Sequence, residues 1–242
     1  MDGSPVMRRR ELLACVVAGS SAFLPRASNA FENSLPLPDS KTNAFKDRKP
    51  GPPPTDIGIQ KETGTLKPCL DTKPHCFSTA SIVDYDEFIY DAAVGDPGLM
   101  QSWTFTKSRA EAMQDVVRAA KAYPPGQSDI DGGGWKIITE EPNYLYVQYE
   151  SLLKGFRDDM EFAITADGVL SLRTSSRIGR QDKFVNSKRV NWYAQTLGQL
   201  EGWSTKPVSQ ETHPVYWTEN GTEQKRNADL KKIRDAGGGL ER

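Results

Sequence analysis

The stretch DMEFAITADGVLSLRTSSRI, residues 159–178, decides the fold. Two arms of alternating apolar and polar residues, Asp159–Thr165 and Val169–Ile178, flank Ala166-Asp167-Gly168. A two-residue Asp-Gly turn would set Met160, Phe162 and Ile164 against Ser175, Arg173 and Ser171. A three-residue loop with Gly168 left-handed sets them against Thr174, Leu172 and Leu170. Side chains alternate between faces with period two, so a one-residue slip would move every apolar group to the wrong side. Burial therefore selects the second register. That register also places Glu161 opposite Arg173 and Asp159 opposite Ser175 on the other face. Opposed charges across strands contribute about 0.2–1 kcal/mol.

Working outward, Trp135–Thr139 and Tyr144–Leu153 read as two earlier strands around the turn Glu141-Pro142-Asn143. The alternation puts Leu145, Val147 and Tyr149 on one face and Tyr144, Tyr146 and Gln148 on the other. A helix is predicted over Arg109–Tyr123. Ser108 and Glu111 make a capping box, and Ala110, Met113, Val116, Val117, Ala120 and Tyr123 form the apolar stripe. A second helix is predicted over Ser187–Leu200, with Asn186 as N-cap, Val190, Tyr193, Ala194, Leu197 and Leu200 inward, and Gly202 as the stop. The expectation is an α+β fold: an antiparallel sheet of about four strands with two flanking helices, between long disordered N- and C-terminal arms.

The arms follow from composition. Residues 31–65 are rich in Pro, Lys, Asp and Gly, including Pro50-Gly51-Pro52-Pro53-Pro54, and read as an extended linker unable to bury enough apolar surface to order itself. The folded domain is expected over 66–203 and a charged tail over 204–242, with a solvated helix at Thr222–Ala236.

Residues 1–30 read as an export leader. Arg8-Arg9-Arg10 precedes a run of apolar and small residues, Leu12–Leu24, too short to span a bilayer, and Ser28 and Ala30 suit peptidase cleavage after Ala30. Arg9-Arg10-Glu11-Leu12-Leu13, the weakly apolar core and Arg26 before the cleavage site fit the twin-arginine type, which exports folded proteins; an ordinary secretory signal is the alternative. No later apolar run is long enough for a transmembrane helix in the mature chain. The formal net charge is −1 and falls to about −3 once the leader's four arginines and two acids are removed. Such a balance excludes general nucleic-acid binding, which needs a basic footprint.

Cys69 and Cys76 are the only cysteines after the leader. Three states are open: a short-loop disulfide, favoured by an oxidising destination; free thiols; or a metal site recruiting His75, for which His213 is the only other histidine.

Several motifs share their spacing with one family. They are Cys69-Leu70 with Pro74-His75-Cys76-Phe77-Ser78, Tyr144-Leu145, Phe156-Arg157-Asp158-Asp159-Met160-Glu161-Phe162, Arg173-Thr174-Ser175-Ser176-Arg177-Ile178-Gly179, Asp182, and Asn186 with Lys188-Arg189-Val190. Over about Lys67–Leu200 the chain resembles the domain of unknown function 1499 family, of plastid (thylakoid lumen) or cyanobacterial type. The resemblance implies a small α+β domain and no established reaction.

The polar residues Arg157, Asp159, Glu161, Arg173, Ser175, Arg177, Asp182, Asn186 and Arg189 are the candidate ligand or partner site. They read as a structural ion-pair and capping network, as an anion or headgroup site with Arg173, Arg177 and Arg189 as donors, or as a docking face. Catalysis has weaker support: no His or Lys is placed to activate Ser175 or Ser176, and neighbouring arginines would keep Asp159 and Glu161 ionised. No catalytic residue, cofactor or metal is expected. Tyr144, Tyr146, Trp135, Trp192 and Trp203 read as core and rim, with a pigment or lipid pocket as the alternative. The functional expectation is an exported, non-enzymatic binding or auxiliary protein of the chloroplast thylakoid lumen, in peripheral contact with photosynthetic membrane complexes. The bacterial periplasm or cyanobacterial lumen is the alternative location. A small-molecule (anion, lipid or pigment) binder and an enzyme using the Arg/Asp/Ser cluster are the alternative functions.

Overall fold

The computed structural model describes residues 31–36, 47–69, 75–82 and 96–221. The leader and the helix predicted over Thr222–Ala236 lie outside the described residues. Among the described residues seven strands form one antiparallel sheet: β1 (Cys76–Ser78), β2 (Trp103–Phe105), β3 (Gly134–Glu141), β4 (Tyr144–Glu150), β5 (Arg157–Ala166), β6 (Val169–Ser176) and β7 (Trp203–Ser204). The order is β3-β4-β5-β6-β2-β7. β1 also lies on β6, so β1 and β2 share that strand's second edge end to end. The four-strand expectation is thus too small. β1, β2 and β7 span only two or three residues each, too short for period-two alternation to register.

The central hairpin takes the register that burial demands. Met160, Phe162 and Ile164 pair with Thr174, Leu172 and Leu170, and Glu161 pairs with Arg173. Gly168 has φ 72°, the left-handed value the three-residue loop requires, and a bulge falls between Ile164 and Ala166.

Two helices pack on one face of the sheet, α1 (Arg109–Ala122) and α2 (Val185–Gly198). The Ser108–Glu111 capping box is formed. The stripe of α1 is rotated from the expected one: Ala112, Asp115 and Ala119 are buried and Ala110 is exposed. Asp115 is tolerated inside because Lys107, Arg118 and the Trp203 indole all bond to it. The core between helices and sheet holds Trp103, Met113, Val116, Tyr123, Leu145, Val147, Tyr149, Met160, Phe162, Leu172, Val190, Tyr193 and Leu197. Helix α2 begins two residues before the predicted start and ends at Gly198. Its N-cap is Phe184, in a left-handed conformation and with no side-chain cap bond. Asn186 sits inside the first turn. Asp182 does the capping instead, accepting from the amides of Phe184 (3.1 Å) and Asn186 (2.9 Å).

The segments read as disordered arms are partly ordered against the domain. Residues 47–69 form a strap across the second sheet face. Ile57 and Leu66 pack on Tyr144, Tyr146 and Ala163, the Gly58 amide donates to Glu161 (2.6 Å), and Cys69 is disulfide-bonded to Cys76. The strap cannot build a core of its own, but the sheet supplies the apolar partner surface. Its free-thiol and metal alternatives fall away with the disulfide. Near the chain's start, Asn33 bonds both the amide and the carbonyl of Trp135 on the otherwise unpaired edge of β3. Past residue 203, Val208, His213, Tyr216 and Asn220 are buried, and the backbone is helical over 214–221. Two of these four are polar and Val208 stands alone, so only Val215-Tyr216-Trp217 offers an apolar signal there in the sequence.

Candidate functional site

The candidate polar residues separate into three groups. On the strap-covered face, Arg177 makes a two-pronged bond to Asp159 (2.9 Å from Nε to Oδ2 and 2.9 Å from the terminal nitrogen to Oδ1), and the Tyr146 hydroxyl donates to Asp159 at 2.5 Å. Glu161, 1% exposed, accepts from Gly58 and from the Tyr144 hydroxyl (2.8 Å), with Arg173 3.6 Å away. Ser175 is buried beside the disulfide, opposite Cys76 and Asp159. Neighbouring arginine does not set the net direction of the Glu161 shift. Burial raises its carboxyl above the ordinary range, outweighing the Arg173 charge and the Gly58 and Tyr144 bonds. Burial also pushes the Tyr146 hydroxyl up to about 12, reinforced by its bond to Asp159. The sheet thus sorts these charges to one side, as the alternation requires, but the strap closes that side to solvent.

The second group lies on the helix side, under the start of α2. Arg189 is fully buried. Its guanidinium donates to Asn186 (2.8 Å), Gln127 (2.7 Å) and Asp158 (3.1 Å), and lies 3.9 Å from the Tyr149 ring centre. Asn186 uses both ends of its amide: it accepts from Thr174 (2.7 Å) and Arg189, and donates to the His75 carbonyl (2.8 Å) and Ser176 (3.1 Å). It thereby ties β1, β6 and α2 together. Asp182 also receives the Tyr216 hydroxyl on both oxygens, at 2.8 and 3.0 Å. Arg157 stands apart from both groups, paired with Glu150 at 3.0 Å. Arg173, Arg177 and Arg189 therefore do not converge. They lie on opposite faces of the sheet, each facing a carboxylate, which withdraws the geometric basis for an anion site built from them.

Beside the second group is a cleft of about 520 Å³ at the end of the sheet, between the β4–β5 turn, the end of β6 and the start of α2. Its wall is apolar: Ile130, Leu152, Leu153, Phe156, Ile178 and Val185. Phe156 is 44% exposed, high for a large apolar side chain. Asp131, Asp158, Asp182 and Ser176 line it as well. Burial pushes Asp182 up to about 6, despite its amide and tyrosine bonds, and raises Asp131. Exposed Lys154, Lys183 and Lys188 complete the lining. Two strained turns border the cleft. Gln127, Ser128 and Asp129 have φ between 53° and 61°, and Lys183 and Phe184 have φ 57° and 66°. The Asn220 side chain holds the second turn by accepting from the amides of Asp182 and Lys183, both at 3.0 Å.

Sequence reasoning grouped Asp182, Asn186 and Arg189 but missed the cleft beside them. Of its aromatic candidates, Trp203 is core, Trp135 donates to the Tyr123 carbonyl, and Tyr144 and Tyr146 lie under the strap. The legible signal was Leu152-Leu153 and Phe156 around a turn, apolar residues where a loop should be polar.

Sheet, helices and cleft define a small single-sheet α+β domain with a ligand-sized recess at one end. The chain belongs to the DUF1499 family: the family model, described as "Protein of unknown function (DUF1499)", matches residues 65–197, more than half of the sequence. Comparison with curated proteins returned no match, and comparison with solved structures returned none. Among the described residues no helix is long and apolar enough to cross a membrane.

Proposed function

We propose that this chain is an exported, non-enzymatic binding protein that takes a small ligand with an apolar body into the cleft beside α2. The observation that carries this is the wall of Leu152, Leu153, Phe156, Ile178 and Val185 enclosing about 520 Å³, within the size range of ligand pockets. An enzymatic reading would rest on Asp182, whose raised carboxyl is suited to proton transfer. Its oxygens are already taken by two backbone amides and Tyr216, Asp158 by Arg189, and Ser176 by Asn186. Such a constellation binds and caps; it lacks a nucleophile beside a free base.

Export is supported by the leader's sequence and by the Cys69–Cys76 disulfide, since disulfides persist in oxidising compartments. The thylakoid lumen, with photosynthetic membrane complexes as the recipients of ligand or contact, is the setting we propose. Replacing Arg9 and Arg10 by lysine should block export of a reporter fused to the leader; undiminished export would reject the twin-arginine route.

Binding is tested on the full chain with a neutral solvatochromic dye and by native mass spectrometry. One dye per protein is expected, lost in Leu153→Glu, which places a charge on the half-buried wall. Equal dye binding by wild type and variant, or no binding by either, would reject the cleft as the site.

A further inference from the structure

The rim of the cleft carries more information than its wall. Lys154 comes from the β4–β5 turn, Lys183 from the β6–α2 connection and Lys188 from the first turn of α2, and all three line the same opening. Among the described residues none of the three is in an ion pair. The carboxylates in the cleft make no ion pair with the three lysines: Asp158 has its own cation, and Asp131 and Asp182 are held back from the rim by neutral donors. Asp158 faces Arg189. Asp131 accepts from the Gly133 amide (2.7 Å) and Gln127 (3.2 Å). Asp182 caps α2 and accepts from Tyr216.

The position of Lys183 is also held at a conformational cost. It and Phe184 both occupy the left-handed region, which asparagine or glycine would adopt more readily. The turn is kept there by Asn220 from the C-terminal helical segment and by Asp182. Residues kept in sparsely populated backbone regions cluster at ligand sites, where surrounding structure over-determines them.

Building on the cleft reading above, we infer that the ligand is an amphipathic anion. Its apolar body lies on the Leu152, Leu153, Phe156 and Val185 wall, and its negatively charged head sits among Lys154, Lys183 and Lys188. A carboxylate, sulfate or phosphate head satisfies the same chemistry, since an ammonium group acts as a point charge toward any of them.

The test compares laurate, dodecanol and dodecylamine, which share one chain and differ in head charge, by isothermal titration of the full chain below micellar concentrations. Laurate should bind about tenfold more tightly than dodecanol, the sum of three exposed charge contacts of modest strength. Dodecylamine should bind weakest. The laurate preference should shrink in high salt. It should vanish in the variant Lys154→Gln/Lys183→Asn/Lys188→Gln, with dodecanol binding retained and circular dichroism and melting unchanged. Dodecyl sulfate and dodecyl phosphate as further arms rank the head groups. Equal affinity for laurate and dodecanol would overturn the anionic head and leave the cleft reading standing. Tightest binding of dodecylamine would overturn it in favour of the carboxylates. No binding of any chain would sink the cleft reading together with the inference.

Discussion

Replacing Arg189 by methionine is the sharpest test of how the helix-side cluster is built. Methionine keeps most of the length and the apolar stem but removes the guanidinium. Three acceptors then lose their donor: Asn186, Gln127 and Asp158, all buried, with Asp158 the charged one. At 3.1 Å the Arg189–Asp158 attraction is about 5 kcal/mol with an effective dielectric of 20, before desolvation is subtracted. Breaking a buried pair by deleting one partner destabilises by about 3–5 kcal/mol, because the survivor is left charged and unpaired. Each kcal/mol moves the midpoint of a domain of this size by about 2–4 °C, so Arg189→Met should melt about 10 °C lower. Urea unfolding followed by tryptophan fluorescence gives the free energy. Asp158→Asn/Arg189→Met should lose about 2 kcal/mol less than the sum of the single variants, since neither partner is then stranded with a charge. A loss under about 1 kcal/mol for Arg189→Met, or strict additivity in the cycle, would refute the structural role. If anion affinity fell while stability held, Arg189 would be a ligand-binding residue after all.

Further outcomes are expected. Asp182 titrates at about 6 in the folded chain against an ordinary value of 3.8, so its stabilising effect is complete below about pH 4 and is lost as the pH rises through about 6. Relative to Asp182→Asn, the wild type should therefore lose up to about 3 kcal/mol of unfolding free energy between pH 4 and 7; parallel pH profiles of the two would contradict the raised carboxyl. Reduction of the disulfide, or Cys69→Ser, should destabilise by about 2.5 kcal/mol in the chain-entropy picture for so short a loop, read by urea unfolding with and without reductant. Leu66→Ala should destabilise by about 2–4 kcal/mol and speed hydrogen exchange at the Gly58 amide, because Leu66 is fully buried where the strap meets Tyr144 and Tyr146. Ser108→Ala should cost about 1 kcal/mol by removing one half of the capping box of α1, with no effect on ligand binding.

Much of the architecture was legible because it rests on short-range periodicity. The hairpin of β5 and β6 follows from alternation and one glycine: only the register pairing Phe162 with Leu172 buries both. The capping box of α1 is a four-residue pattern. The boundaries of α2 were misplaced because asparagine at position 186 looks like a cap. Its amide is used instead by Thr174, Arg189, Ser176 and the His75 carbonyl, partners between 3 and 111 residues away in sequence. The candidate site was half legible. Charge spacing grouped Arg157–Arg189 and alternation put Asp159 and Glu161 on the polar face, yet neither could tell that the strap covers that face or that Asp158 meets Arg189 from α2 on the other.

The sequence by itself determined the two faces of the sheet, the pairing of its central strands with Glu161 set against Arg173, and the two main helices, because each of these depends on local periodicity and turn geometry. The tertiary structure decided what covers those faces. Ile57 and Leu66 have too little apolar company in their own segment to order it, and they do so only against Tyr144, Tyr146 and Ala163. The cleft likewise exists only where the Leu152–Phe156 turn, Ile178 and Val185 meet, with Lys154, Lys183 and Lys188 around its mouth. A covered face and an open recess are relations between segments brought together by long-range burial, and no local pattern of side chains encodes which of the two a given polar cluster will become.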